Sequence, residues 1–265
     1  MENGKMNLII SSQELRKIKE AIGRGEKEIE TSLDLGLTKT ILKLEKIKFS
    51  IGKIKDDEKD AYLLVGKKLK KVQFFSPETN LAYTLIPTSG RPILQVSGTP
   101  MHKQAFVERI QTERLTGRVL DSGTGLGYTA IEAAKTADLV MSIEIDENVM
   151  RMARLNPFSQ ELFQEKIILI SGDLTLEITK FKNEEFDYLI FDGGTPKSSG
   201  EFFSIDNYRE AFRVLKRRGR LYHYLPKHHI TRGRDFIGEM IKKMISAGFI
   251  LVERNDEGSY AVMKK

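Results

Sequence analysis

The chain has 265 residues, 43 Lys and Arg against 37 Asp and Glu for a formal charge of +6, a pI near 9.2, and no cysteine. This length suits one large domain, or a catalytic domain of about 160 residues with a small appendage, and the second arrangement is expected. Without cysteine there are no disulfides, thiolate metal sites or thiol nucleophile; no apolar run approaches the roughly 20 residues of a membrane span, and Met1-Glu-Asn-Gly-Lys5 has no signal-peptide pattern, so a cytoplasmic protein with no membrane partner is expected.

Residues 7–24 place Leu8, Ile9, Leu15, Ile18 and Ile22 at helical spacing and run into Gly23 and Gly25, which predicts a helix. The period then changes to two. Segments 28–35, 38–44, 46–51, 61–65, 70–75 and 81–86 read as short strands, parted by turn residues such as Gly36, Gly52 and Gly66. A small β-rich accessory domain over residues 1–90 is expected, then a linker over 91–102 punctuated by Pro87, Gly90 and Pro92. Residues 1–100 hold 18 Lys and Arg against 13 Asp and Glu, so most of the net charge lies here.

From residue 103 strands and helices alternate, which implies a mostly parallel sheet with helices on both faces. Helices are predicted over 103–112, 128–135, 147–155, 207–215 and 234–247. Between the first two, Val119-Leu-Asp-Ser-Gly-Thr-Gly-Leu-Gly-Tyr128 is an apolar strand that empties into Asp121 and Gly123, Gly125 and Gly127. Such glycines let the backbone pass close beneath a ligand at a helix N-terminus. Leu139-Val-Met-Ser-Ile-Glu-Ile145 is a second strand, and its Glu144 stands 17 residues after Gly127, about where a nucleotide-binding βαβ unit puts the carboxylate that takes ribose hydroxyls. Two further strands end in acids, Lys166-Ile-Ile-Leu-Ile-Ser-Gly-Asp173 and Phe186-Asp-Tyr-Leu-Ile-Phe-Asp192, the latter leading into Asp192-Gly-Gly-Thr-Pro196. The glycine spacing departs from GxGxxG, and Asp121 just ahead suits a ligand carrying an ammonium rather than a phosphate. Residues 249–254 and 259–263 close the chain as two strands.

In this order and spacing the motifs resemble the class I S-adenosylmethionine-dependent methyltransferases over residues 103–265. The resemblance implies a Rossmann-like α/β sheet with an antiparallel edge hairpin, and S-adenosyl-L-methionine as cofactor. It puts Asp121, Gly123 and Gly125 at the methionine part, Glu144 at the ribose and Asp173 at the adenine, with Thr124, Gly127, Ile145, Gly172, Asp192 and His102 completing the cofactor set. His102, ahead of the first helix of this region, reads otherwise as a cap or packing residue. Two groups look closest. Glu144-Ile-Asp-Glu-Asn148 and Phe202-Phe-Ser-Ile-Asp-Asn-Tyr-Arg-Glu-Ala-Phe212 resemble spermidine synthases. Ala153-Arg-Leu-Asn-Pro-Phe-Ser159 and Gly219-Arg-Leu-Tyr-His-Tyr224, with Thr99-Pro-Met-His102, resemble a group of uncharacterised predicted archaeal methyltransferases. Abundant Lys and Glu without Cys or Trp leans towards a thermophile.

A methyl sulfonium is already activated, so alignment and exclusion of water are the main requirements. In that family the loop after the fourth strand faces the transferred methyl, which makes Asp192, Thr195 and Pro196 the candidate catalytic residues. Asp192 reads otherwise as a strand-end acid capping its loop. Enzymes that methylate exocyclic amines often carry an Asp/Asn-Pro-Pro-aromatic motif here; this chain keeps the acid and a proline but shifts the proline and lacks the aromatic.

Residues 211–234 contain no acid, while Arg213, Lys216, Arg217, Arg218, Arg220, Lys227, Arg232 and Arg234 are basic. The stretch reads as a polyanion footprint, or around 217–220 as a solvated helix end that favours cations. Alternation in Leu221-Tyr-His-Tyr-Leu225 puts His223 on the side of two leucines, a buried structural histidine. His228 and His229 are adjacent and diverge, with no carboxylate to complete a set, so no metal is expected. The favoured function is methylation of an rRNA or tRNA base, such as the exocyclic N4 of cytosine, with RNA gripped by the basic stretch and the β domain. A target inside a duplex would have to be extruded. The alternative is a methyl or aminopropyl transferase for a polyamine or another small amine, against which stands the lack of a further acid in 193–200. Intact cofactor motifs argue against a mere binding module.

Overall fold

The computed structural model describes residues 8–47, 49–52, 54–101, 104–194, 200–226 and 235–265. They divide into two compact units, Met1–His102 with Arg151–Gln160, and Lys103–Met150 with Glu161–Lys265.

In the first unit β1 (Ile9–Ser11), α1 (Ser12–Gly23), β2 (Glu28–Thr31) and β3 (Thr40–Lys43) are followed by β4 (Ala61–Val65), β5 (Lys68–Lys71), β6 (Gln73–Ser76), β7 (Leu81–Ile86), β8 (Ile93–Val96) and β9 (Thr99–Pro100). They make three small antiparallel sheets, β1-β4-β5, β2-β3 and β6-β7-β8-β9. The helix expected from residue 7 begins only at Ser12. Ile9 and Ile10 are both fully buried, which a strand paired with Leu63 and Tyr62 achieves, and the Ser11 hydroxyl then caps the helix by accepting the Glu14 N–H at 3.1 Å. The strand expected over 46–51 does not form among the described residues; Leu44–Lys46 is a 3₁₀ turn, held by the Leu44 N–H on the Lys27 carbonyl at 2.9 Å. Residues 91–102, expected as a linker, carry β8 and β9 instead. Leu94 is fully buried, and Ser97 and Gly98, at φ 44° and 85°, turn the chain between the two strands. Residues 151–160 group with this unit, where the Arg151 guanidinium lies over the Phe74 ring at 4.4 Å.

The second unit is one seven-stranded sheet. Its strands are β10 (Arg118–Ser122), β11 (Leu139–Glu144), β12 (Ile167–Ser171), β13 (Phe186–Phe191), β14 (Leu215–Tyr224), β15 (Ile250–Asn255) and β16 (Tyr260–Lys264), in the order β12-β11-β10-β13-β14-β16-β15. The first five are parallel, and β16 is antiparallel to both neighbours. The apolar runs of β10 and β13 bury Val119, Leu120, Leu189, Ile190 and Phe191 on both faces, as a parallel sheet covered by helices requires. The helices are α2 (Gln104–Gln111), α3 (Tyr128–Ala134), α4 (Glu147–Leu155), α5 (Leu174–Glu177), α6 (Ile205–Val214) and α7 (Phe236–Ser246). This is a Rossmann-like α/β sheet with an antiparallel C-terminal pair. Leu215, expected to end a helix, instead starts β14. Arg217, Arg218 and Arg220 therefore sit on a strand, with Arg218 at φ 65° where the register against β13 shifts. Among the described residues no helix is long and apolar enough to cross a membrane.

From β10 the chain steps outward through β11 and β12, then returns to the other side of β10 with β13. Such a reversal opens a crevice beyond the carboxyl ends of the strands.

Candidate functional site

The glycine loop after β10 is clamped to β11. The Gly123 N–H donates to the Ile143 carbonyl at 3.0 Å, and the Thr124 and Ser142 hydroxyls are 2.7 Å apart. Gly123, Gly125 and Gly127 have φ of 73°, 57° and 82°. Two of them answer to the protein's own packing. A Cβ on Gly123 would lie 1.8 Å from the Asp192 carbonyl oxygen, and one on Gly127 2.7 Å from a Leu162 methyl.

Asp121, expected to meet a ligand ammonium, is fully buried with one oxygen taken by the Thr129 hydroxyl at 2.7 Å and the other by the Ser142 hydroxyl at 2.5 Å. It ties α3 and β11 to the strand that carries the loop. Burial outweighs these hydrogen bonds and pushes its carboxyl up to about 6.

Glu144 ends β11 beside this loop. One carboxylate oxygen accepts the Gly125 N–H and the other the Asp146 N–H, both at 3.0 Å. Burial raises its pKa while those backbone donors pull the other way. Next to it Ile145 is 66 % exposed, an apolar surface at the strand end. On the next strand end the Gly172 N–H donates to the Glu144 carbonyl at 3.0 Å, and Asp173 caps α5 by accepting the Thr175 N–H and hydroxyl at 2.8 Å. Glu144, Ile145, Gly172 and Asp173 thus lie side by side at the carboxyl ends of β11 and β12, fixed by backbone hydrogen bonds and fit to hold a nucleoside: a carboxylate for vicinal hydroxyls and an aliphatic face for a base.

Asp192 follows β13. Its N–H donates to the Ser122 carbonyl at 3.0 Å, and its own carbonyl faces Gly123, so the loops after β10 and β13 lie against each other. A Cβ on Gly193 would meet the Phe202 ring at 2.6 Å, which seats an aromatic wall beneath this loop. Behind it His223 is fully buried, as expected of a structural histidine. It stacks on Phe203 with ring centroids 5.7 Å apart, and its nitrogens lie 3.0 Å from the Tyr208 hydroxyl and 3.2 Å from the Phe191 carbonyl. Burial pulls its pKa down to about 3. Tyr224 carries no motif that marks it in the sequence as a site residue. The pairing of Phe191 with His223 sets the next residues, Asp192 and Tyr224, side by side, and burial first, then the negative charge of Asp192, raises the phenol pKa. The usable signal was the shared end of strands four and five.

The candidates Thr195, Pro196 and His102, the basic residues Lys227, Arg232 and Arg234, and the pair His228 and His229 lie outside the described residues. The rest of the basic stretch belongs to the amino-terminal half of β14 and the end of α6, away from the strand ends that carry Glu144 and Asp192. Arg213 bonds Glu210 (2.7 Å), the Phe181 carbonyl (2.8 Å) and the Ile178 carbonyl (3.1 Å), stapling the turn before β13. Lys216 pairs with Asp187 at 2.8 Å, Arg217 with Glu184 at 3.8 Å and Arg220 with Glu113 at 3.9 Å. Arg217 and Arg218 are the exposed members.

No protein-family model matches the chain. It is 34% identical, over an alignment of 271 residues spanning 93% of each chain, to the uncharacterized protein MJ1233 of Methanocaldococcus jannaschii. Among solved structures, spermidine synthase from Thermotoga maritima matches with a TM-score of 0.55 at 16% identity, over 72% of this chain and 70% of that one. A spermidine synthase in complex with the transition-state analogue AdoDATO matches with a TM-score of 0.56 at 16% identity, over 72% and 71%. At these identities the likeness to the solved structures is one of fold.

Proposed function

The chain belongs to the family of the Methanocaldococcus jannaschii protein MJ1233 and has the fold shared by class I methyltransferases and spermidine synthases; from that premise we propose that it is an S-adenosyl-L-methionine-dependent methyltransferase acting on an RNA base. The observation that carries the reading is the meeting of two loops, with the Asp192 carbonyl set against Gly123. It brings an acceptor-side carboxylate beside the loop whose Gly125 N–H holds Glu144.

When bound, the cofactor supplies a methyl group already activated on sulfur. Glu144 would accept the ribose hydroxyls, Ile145 would cover one face of the adenine, and Asp173 with Gly172 would border its edge. Asp192 would accept hydrogen bonds from an exocyclic amine so that the nitrogen lone pair points towards the methyl. Tyr224 is buried beside Asp192, and alignment of the reacting groups with exclusion of water would contribute most to rate.

The competing reading is methyl or aminopropyl transfer to a polyamine, for which the spermidine synthase fold is the support. A multivalent cation asks for several carboxylates at the acceptor end, and the described part of the loop after β13, residues 192–194, supplies only Asp192. An assay with labelled cofactor and either total RNA or a polyamine mixture separates the two. RNA should take the label; label in polyamine alone would overturn the proposal. Asp192→Ala should keep cofactor affinity and lose about a hundredfold in transfer, because a small misplacement of reacting groups costs that much. Asp192→Asn, which retains an acceptor oxygen, should lose less.

A further inference from the structure

Resting on the RNA reading above, the question is which surface holds the phosphates. A cation already matched by a carboxylate must give up that partner to take a phosphate. On β14 and the end of α6, Arg213, Lys216, Arg217 and Arg220 each have such a partner, which leaves only Arg218 without an ion pair among the described residues there. The first unit is different. Residues 61–77 contain four lysines and no acid. Lys71 is paired with Asp60 and Glu58, whereas Lys67, Lys68 and Lys70 are exposed and have no ion pair among the described residues.

Local geometry presents these three together. Val65 pairs with Lys68 across a two-residue loop whose first member, Gly66, takes φ 62°, a positive angle of the kind tight hairpin turns need there. Lys67 is thereby at the tip. Lys68 and Lys70 share one face of β5, roughly 7 Å apart along the strand, and β5 is the edge of its sheet. The chain continues through buried Val72 into β6, where two consecutive phenylalanines diverge. Phe74 stacks on Tyr83 with centroids 5.2 Å apart. Phe75 points the other way, 57 % exposed, and its cross-strand partner is Ala82, too small to cover the ring.

We propose that the β4–β5 hairpin with Phe75 is a surface for single-stranded RNA, in which Lys67, Lys68 and Lys70 contact phosphates and the Phe75 ring stacks on an unpaired base. Unmatched cations along a strand and a bare aromatic ring are the two components by which proteins hold single strands, and Phe75 is five residues on from Lys70, so within about 18 Å of it along the chain.

The test is fluorescence anisotropy of the full chain with a labelled, unstructured RNA oligonucleotide across a salt series. Combined Lys67→Glu, Lys68→Glu and Lys70→Glu should weaken binding more than tenfold at low salt. At roughly −0.7 per phosphate contact on single strands, the slope of log affinity against log salt should become shallower by about 2. The triple Lys→Gln variant should show the same loss of slope without charge reversal, which guards against misfolding of the reversed hairpin. Phe75→Ala should lower affinity about five- to a hundredfold and leave the slope unchanged, because stacking releases no counterions. Wild-type affinity and slope in both triple variants overturn the hairpin while the RNA reading stands, as does a loss seen only in Arg217→Glu with Arg218→Glu. Failure of the wild-type protein to bind RNA, or binding only to anionic phospholipid vesicles, overturns both.

Discussion

Glu144 accepts backbone N–H groups on each carboxylate oxygen, yet a carboxylate has about four acceptor positions, so capacity remains for ligand hydroxyls. Hydrogen bonds to a charged acceptor are worth about 1.5–3 kcal/mol each. Glu144→Ala should therefore lower affinity for S-adenosyl-L-methionine at least tenfold in calorimetry. A folded Glu144→Ala protein with unchanged affinity would remove the ribose from this position. Asp121 illustrates the opposite case. It is an acid at a strand end with the same outward look in the sequence and likewise one hydrogen bond on each oxygen, from Thr129 and Ser142, but it is fully buried where Glu144 is partly exposed.

At the scale of elements, the site depends on two loops packed without side chains between them. Gly123 has φ 73° and no room for a Cβ against the Asp192 carbonyl. Alanine there carries backbone strain on the order of 1–3 kcal/mol and must also drive the loop after β13 away. Gly123→Ala should lower the melting temperature and weaken cofactor binding together. Gly23, the last residue of α1, has open space around its Cα and ordinary φ, so Gly23→Ala should leave both unchanged or raise stability by about 0.4–1 kcal/mol. Thermal unfolding of the two variants side by side measures the contrast. Equal behaviour would mean that the loop after β13 is not held by Gly123.

At the scale of the molecule, two buried groups give stability opposite responses to pH. His223 has its pKa depressed from 6.5 to about 3, so its contribution is complete above pH 6.5 and is lost as pH falls towards 3. Asp121 has its pKa raised from 3.8 to about 6, so its contribution is complete below 3.8 and is lost as pH rises through 6. At about 1.4 kcal/mol per pKa unit, moving from pH 7 to 4.5 costs on the order of 3 kcal/mol through His223 and returns on the order of 2 kcal/mol through Asp121. Replacing both members of the His223–Tyr208 hydrogen bond by phenylalanine keeps the rings and removes the polar pair. That double variant should lose about 3 kcal/mol less than the wild type on acidification, and Asp121→Asn about 2 kcal/mol more, read from urea unfolding at the two pH values. Parallel pH responses in all three proteins would place the acid sensitivity elsewhere.

What the amino-acid sequence determined by itself was whatever depends on neighbours a few residues away. Apolar runs ending in acids or glycines mark β10 to β13, but not the start of β14, where a helix was expected to Leu215. The spacing from Gly127 to Glu144 marks a nucleotide-type βαβ unit, and the alternation around His223 marks a core position. The period of a side-chain pattern is local, so a strand or helix face is legible before anything folds. Only the tertiary structure decided which partner each charge takes. Ser142 closes on Asp121 from 21 residues away and Asp187 takes Lys216 from 29 away. Residues 151–160 join the first unit, and Ile93 opens a strand pair where a linker was expected. An ion pair forms where two chain segments are brought within reach. Packing of the sheet and its helices sets that distance, so Arg213, Lys216, Arg217 and Arg220 of the basic stretch take carboxylate partners, while Lys67, Lys68 and Lys70 of the separate β4–β5 hairpin have no ion pair among the described residues.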